Sequence, residues 1–221
     1  MERDNAVPEN SRSRFVIVIT ILAVFSLALS IYAWMNTNFP GDLYLTLHLQ
    51  SFSNGTLSSV MEWVSYLFAS WRTALIVIAL GLLFWWRMGR LEGILFPVIG
   101  ILSLLADAFK IAVNQARPSA NLVEILAQEP TQGFPSSHAF FSALVLGFAA
   151  YLLFTHLQIR WQKIFSLVAL ILLGLIVGAS RVYLGVHWTS EVIGGWIMGG
   201  LFLTGVIWAY SVIKRRMVTK N

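Results

Sequence analysis

The sequence predicts an all-α membrane protein: a six-transmembrane-helix bundle with an interfacial amphipathic helix between spans 1 and 2. Three observations predict it. Of 221 residues, 57% are hydrophobic and 11% charged, where a soluble domain carries about 25% charge. Six apolar runs approach or reach the length that crosses a bilayer. The basic residues gather at one side of those runs. Helices follow because lipid leaves any exposed backbone N–H or C=O unpaired.

Residues 1–14 are polar and read as a disordered or interfacial cytoplasmic segment. Span 1 covers 15–35. It is long enough to cross and lacks a persuasive small-residue cleavage site, so it reads as a retained helix. Residues 36–70 do not form a span. Within them Leu57, Val60, Met61, Val64, Leu67 and Phe68 recur at helical spacing, with Ser58, Ser59, Glu62 and Ser65 on the other face. That pattern predicts a helix lying in the interface. Two readings of it stand: packing over the bundle, or a wall or portal for a lipid entering sideways. Asn54-Gly55-Thr56 matches a glycosylation sequon, a short and weak signal.

Spans 2 to 6 are expected at 71–87, 92–114, 138–157, 162–180 and 188–213. Gly174/Gly178 and Gly195/Gly199, four apart, permit close helix approach within the bundle. The chain shows no internal repeat, so 15–213 reads as one membrane domain followed by a basic tail, 214–221. There is no cysteine, which excludes disulfides and thiolate metal sites.

Six spans put both termini on one side. That side carries Arg3, Arg12, Arg14, Arg87, Arg90, Arg160, Lys163, Lys214, Arg215, Arg216 and Lys220, eleven of the fifteen cations. Arg72, Lys110, Arg117 and Arg181 lie on the other. The bias assigns both termini to the cytoplasm. The Lys214-Arg215-Arg216 tail then reads as a topological anchor and a contact for anionic lipid, and nucleic acid is not an expected partner.

Three polar motifs fall at the outer ends of spans. Lys110 precedes Arg117-Pro118 by seven residues. On one continuous helix the two cations would stand about 10 Å apart. Pro118 biases Arg117 away from helix, so the chain is expected to unwind and turn Arg117 back toward Lys110. Asp107, one turn earlier, either neutralises Lys110 or leaves it free. Pro135-Ser136-Ser137-His138 opens span 4. Ser136 is placed as an N-cap, and the first-turn N–H groups point outward, as an anion site requires. An ordinary capped helix with an interfacial histidine fits this motif equally. In the third motif, Ser180-Arg181 closes span 5, and His187 and Glu191 share one helix face at a spacing of four. A carboxylate there accepts the Nδ1–H of His187 and leaves the Nε2 lone pair free for nucleophilic attack. An ionisable pair in a membrane is costly without a role. Three cations converging on the pocket argue against a divalent metal at His138, His187 and Glu191. No nucleophile elbow supports a serine mechanism at Ser137-His138.

The three motifs, in order and with spacing intact, resemble the signature of the type 2 phosphatidic-acid phosphatase superfamily. They span Lys110 to Glu191, and the six-span layout resembles that family's membrane branch. Two positions depart from the pattern: Ser137 replaces a usual glycine and Glu191 a usual aspartate. The resemblance implies that Lys110, Arg117 and Arg181, with Ser136 and backbone N–H groups near Ser137, hold the phosphate. It implies that His187 is the nucleophile, oriented by Glu191, that His138 is the leaving-group acid, and that no metal or other cofactor is required. An outer-face site in so small a bundle suits a lipid phosphate or diphosphate, and the motifs do not choose the lipid. A phosphotransferase using the same histidine and a phospholipid flippase are the rival expectations.

Overall fold

The computed structural model describes residues 9–69 and 71–219, and among them every regular element is helical. The chain runs α1 (Glu9–Met35), α2 (Asp42–Gln50), α3 (Gly55–Leu67), α4 (Trp71–Arg87), α5 (Arg90–Ser103) and α6 (Leu105–Val113). After a loop come α7 (Ser137–Phe141), a π-helical turn (Ser142–Leu146), α8 (Gly147–His156), α9 (Arg160–Tyr183) and α10 (Thr189–Val218).

Five helical stretches among the described residues are long and apolar enough to cross a membrane: Arg12–Met35, Arg90–Val113, Ser137–His156, Arg160–Tyr183 and Thr189–Val218. The α4 helix has 17 residues and meets that standard only together with α3, from which it is bent by 69°. Helix α1 begins at Glu9, inside the segment expected to be irregular, while residues 1–8 lie outside the described residues. Helix α10 runs to Val218, past the expected end at 213, because Lys214 has a partner. Its Nζ donates to the buried Glu92 carboxylate at 2.5 Å, and Tyr210 Oη donates to the same oxygen at 2.8 Å.

Helix α10 is the axis of the bundle and packs on α1, α7, the π turn, α8 and α9. Its glycines set how close span 4 comes. A Cβ on Gly195 would lie 2.6 Å from the Ser136 carbonyl, and one on Gly199 would lie 2.6 Å from that of Phe140. Any side chain there would push the two backbones apart. Phe96, Phe140, Leu144, Phe148 and Leu152 fill the space around this seam and are fully buried. Outward-facing Ile17, Phe25, Leu82, Phe165 and Leu172 are each more than half exposed, a surface suited to lipid rather than water.

Residues 36–69 hold two short helices, α2 and α3, rather than one. Asn54 caps α3, its Oδ1 accepting the Leu57 N–H at 2.9 Å. Four residues of the apolar stripe of α3, Leu57, Met61, Val64 and Phe68, pack inward, and Ser58 and Ser65 of the other face turn inward with them. Both have polar partners inside: Ser58 Oγ lies 2.8 Å from Tyr183 Oη, and Ser65 Oγ accepts from Arg181. Val60, Trp63 and Leu67 are left outside.

Candidate active site

The polar motifs meet at one end of the bundle, where α3, α6, α7, α9, α10 and the 114–136 loop converge. Helix α6 ends at Val113 because Asn114 takes a left-handed conformation, φ 51°, and returns its N–H to the Lys110 carbonyl at 2.8 Å. The chain therefore leaves the helix before Pro118, and Arg117 folds back. Lys110 Nζ donates to Thr131 Oγ1 at 3.0 Å, and Arg117 Nη2 donates to the same hydroxyl at 3.2 Å. The two cations that a straight helix would separate thus share one contact. Arg117 also donates from Nε to the Thr131 carbonyl at 2.5 Å and from Nη1 to the Val186 carbonyl.

His187 sits between α9 and α10 and is 1% exposed. Its Nδ1 lies 2.6 Å from Glu191 Oε2, the contact expected from the spacing of four. The carboxylate only accepts, so Nδ1 carries the proton and Nε2 holds the lone pair. Arg117 Nη1 stands 3.2 Å from that Nε2. Burial, with Arg117, Arg181, Lys110 and His138 close by, holds the imidazole well below its ordinary range. The ring is therefore neutral at neutral pH. Burial also lowers Arg117, against the pull of Glu129 and Glu191, but a guanidinium stays charged.

Glu191 is the third residue of α10, and its Oε2 also accepts the Trp188 N–H at 3.2 Å, so it caps the helix it belongs to. Gly133 packs against it: a Cβ there would lie 2.2 Å from Oε1. This glycine gives the longer glutamate side chain room. Asp42 of α2 pins the same turn from outside, accepting the Ser190 N–H at 2.8 Å and the Ser190 hydroxyl at 2.6 Å.

Arg181, 1% exposed, donates from Nη1 to Ser65 Oγ and from Nη2 to Glu129 Oε1 at 2.5 Å. His138 Nε2 lies 3.3 Å from the Ser65 carbonyl, which places its proton on Nε2. Ser136 occupies the N-cap position without a capping bond. Its hydroxyl is buried and unpartnered, and its N–H donates to the Glu191 carbonyl at 3.0 Å. Ser137 lies in the first turn of α7 and donates its hydroxyl to Asp107 Oδ1 at 3.0 Å rather than offering it to the cleft. Asp107 is thereby engaged with Ser137 and forms no ion pair with Lys110.

The structure thus gathers Lys110, Arg117, Arg181, His138, His187 and Glu191, with the Ser136 hydroxyl among them and the Ser137 hydroxyl outside. Sequence reasoning missed Ser65, Glu129 and Thr131, which lie in no motif. Beside Ser65 a groove of about 520 Å³ opens between α3 and the loop, lined by Glu62, Trp63, Tyr66, Ala127 and Leu184.

The PAP2 superfamily model matches residues 92–215. Phosphatidylglycerophosphatase B of Bacillus subtilis is 33% identical over 162 residues, which cover 72% of this chain and 78% of that protein. Undecaprenyl-diphosphatase of Sulfolobus acidocaldarius is 30% identical over 206 residues, covering 88% of this chain and 93% of that one. The crystal structure of a transmembrane PAP2-type phosphatidylglycerolphosphate phosphatase from Bacillus subtilis superposes with a TM-score of 0.75 at 28% identity, over 86% of this chain and 94% of the other.

Proposed function

The chain belongs to the PAP2 superfamily, and from that premise we propose that it is an integral-membrane lipid phosphatase that works through a phosphohistidine. One observation carries the reading: a buried His187 with Nδ1 fixed on Glu191 and Nε2 facing Arg117. In the first step Nε2 attacks phosphorus, the bond to the leaving oxygen breaks, and His138, having taken a second proton on Nδ1 with the phosphate dianion bound, gives that proton to the leaving oxygen and returns to the neutral ring. In the second, water attacks the phosphohistidine and His138 takes back a proton. Inorganic phosphate leaves and His187 is restored. Lys110, Arg117, Arg181 and the Ser136 hydroxyl hold the phosphate oxygens through both steps. Such chemistry depends mostly on positioning and charge.

The substrate class is a lipid with a terminal phosphate or diphosphate, such as phosphatidylglycerol phosphate, undecaprenyl diphosphate or phosphatidic acid. The names of the relatives support this, as does the groove beside Ser65, where Trp63 and Tyr66 offer a wall for an acyl or prenyl chain. The topology is six spans, with α4 crossing and α3 lying in the interface. Residues 15–213 form one membrane domain. The eleven-to-four division of cations supports cytoplasmic termini and an outward-facing site.

Purified protein in detergent is expected to release phosphate from these lipids, and His187→Ala to abolish release. Full activity in that variant would sink the mechanism. Label appearing on a second lipid instead of in solution would make the enzyme a phosphotransferase.

A further inference from the structure

The cation cluster already holds an anion of the chain's own. Glu129 lies in the loop between α6 and α7, outside all three motifs. Its Oε1 accepts from Arg181 Nη2 at 2.5 Å, and its Oε2 lies 4.0 Å from Arg117 Nη2. The two oxygens bridge two guanidinium groups, as those of a phosphate would. Thr131, two residues on, engages Lys110 and Arg117 through its hydroxyl. One short stretch of loop therefore touches all three cations, next to His187 Nε2.

The contact is unequal in two respects. The Glu129 side chain is 26% exposed and that of Arg181 is 1% exposed, so the carboxylate can swing into water and the guanidinium cannot. Arg181 Nε and the Ser136 hydroxyl stay buried without partners while Glu129 is in place. A planar carboxylate with two oxygens leaves these donors unmatched, and a tetrahedral phosphate has more oxygens to offer.

We propose that Glu129 is a specificity-determining residue: its carboxylate competes for the phosphate subsite, and a ligand enters only by displacing it from Arg181 and Arg117. This rests on the reading of Lys110, Arg117 and Arg181 as the phosphate cradle. The competitor carries one negative charge. A terminal phosphate carries roughly −1.5 to −2 near pH 7 and outbids it electrostatically. A phosphodiester lipid carries a single charge and gains nothing over the carboxylate. Glu129 thus screens out the bulk phospholipids, which surround the site in excess.

The test is competitive inhibition of phosphate release by inorganic phosphate, and by phosphatidylglycerol in mixed micelles, on the full-length enzyme. In Glu129→Gln, inorganic phosphate is expected to inhibit about fivefold more tightly, the value of a partly exposed ion pair. Phosphatidylglycerol is expected to become a competitive inhibitor. Glu129→Asp, with a shorter reach and a looser grip, should move both constants the same way by less, and it decides the matter if Glu129→Gln does not fold. Phosphate inhibition that is unchanged or weaker in the folded variants overturns the proposal and makes Glu129 a support for Arg181. If inorganic phosphate fails to compete even with the wild-type enzyme, the cradle reading fails instead.

Discussion

Two buried carboxylates, Glu92 and Glu191, sit at opposite ends of the same bundle, each in contact with α10. Glu92 is 1% exposed and takes Tyr210 Oη and Lys214 Nζ on one oxygen. One anion meets one cation, and that lysine side chain is 41% exposed, so its charge is already half in water. Glu191 is fully buried beside a histidine, with Arg117, Lys110 and Arg181 around them. There three cations meet the carboxylates of Glu191, Glu129, Asp42 and Asp107, yet Ser136 Oγ, Arg181 Nε and Glu191 Oε1 have no hydrogen-bond partner. The difference separates a tie from a site. A satisfied cluster holds helices together, whereas one that buries idle polar groups is costly unless a ligand completes it.

The comparison breaks or sharpens most sharply on the two matched substitutions. Glu191→Gln is expected to lower kcat about a hundredfold or more, because the amide no longer enforces the Nδ1–H tautomer of His187. Glu92→Gln should lower stability by about 1–3 kcal/mol and leave phosphate release within about twofold. Thermal unfolding beside a release assay reads both. Equal loss of activity in the two variants would erase the distinction.

A smaller effect is expected at Gly133, where an alanine Cβ would meet Glu191 Oε1 at 2.2 Å. Gly133→Ala should cut kcat about tenfold, and adding Glu191→Asp should recover part of the loss. Additive losses in the double variant would show that Gly133 does not make room for the glutamate.

The smallest effect is on pH dependence. His187 is held below its ordinary range, so it keeps its lone pair as pH falls past about 6.5, where a free imidazole would be half protonated. The acid limb of kcat/KM belonging to this group should therefore lie below 6.5, at the depressed value in the folded protein. The same shift makes stability fall as pH drops below the unfolded value, since only the unfolded chain then takes up the proton. An acid limb at or above 6.5 would mean that His187 is not held neutral by its surroundings.

Much of this was legible in the sequence. Apolar run lengths located the helices, because a bilayer sets length directly. The spacing of His187 and Glu191 anticipated their contact, though His187 stands just before the cap of α10 and Glu191 reaches back to it from the first turn. The break before Pro118 gave the return of Arg117. What stayed hidden depends on partners distant in sequence. Ser65 faces inward because of Arg181, 116 residues away. Glu129 and Thr131 lie in an irregular loop, docked partly by Gln50, whose Nε2 donates to the Glu124 carbonyl at 2.7 Å. No local pattern encodes such pairings. The inward serines of α3 depart from its apolar stripe only because Tyr183 and Arg181 meet them there.

The bond from Asp42 to Ser190 joins residues 148 apart and has a consequence for biosynthesis. A ribosome delivers Asp42, Lys110 and Arg117 to the membrane first, and His187 and Glu191 last. Until α10 inserts, the nascent chain carries the cations without the proposed nucleophile in place, and Asp42 lacks the turn that it binds at Ser190. The proposed chemistry is therefore complete only once α10, which carries Glu191, is in place.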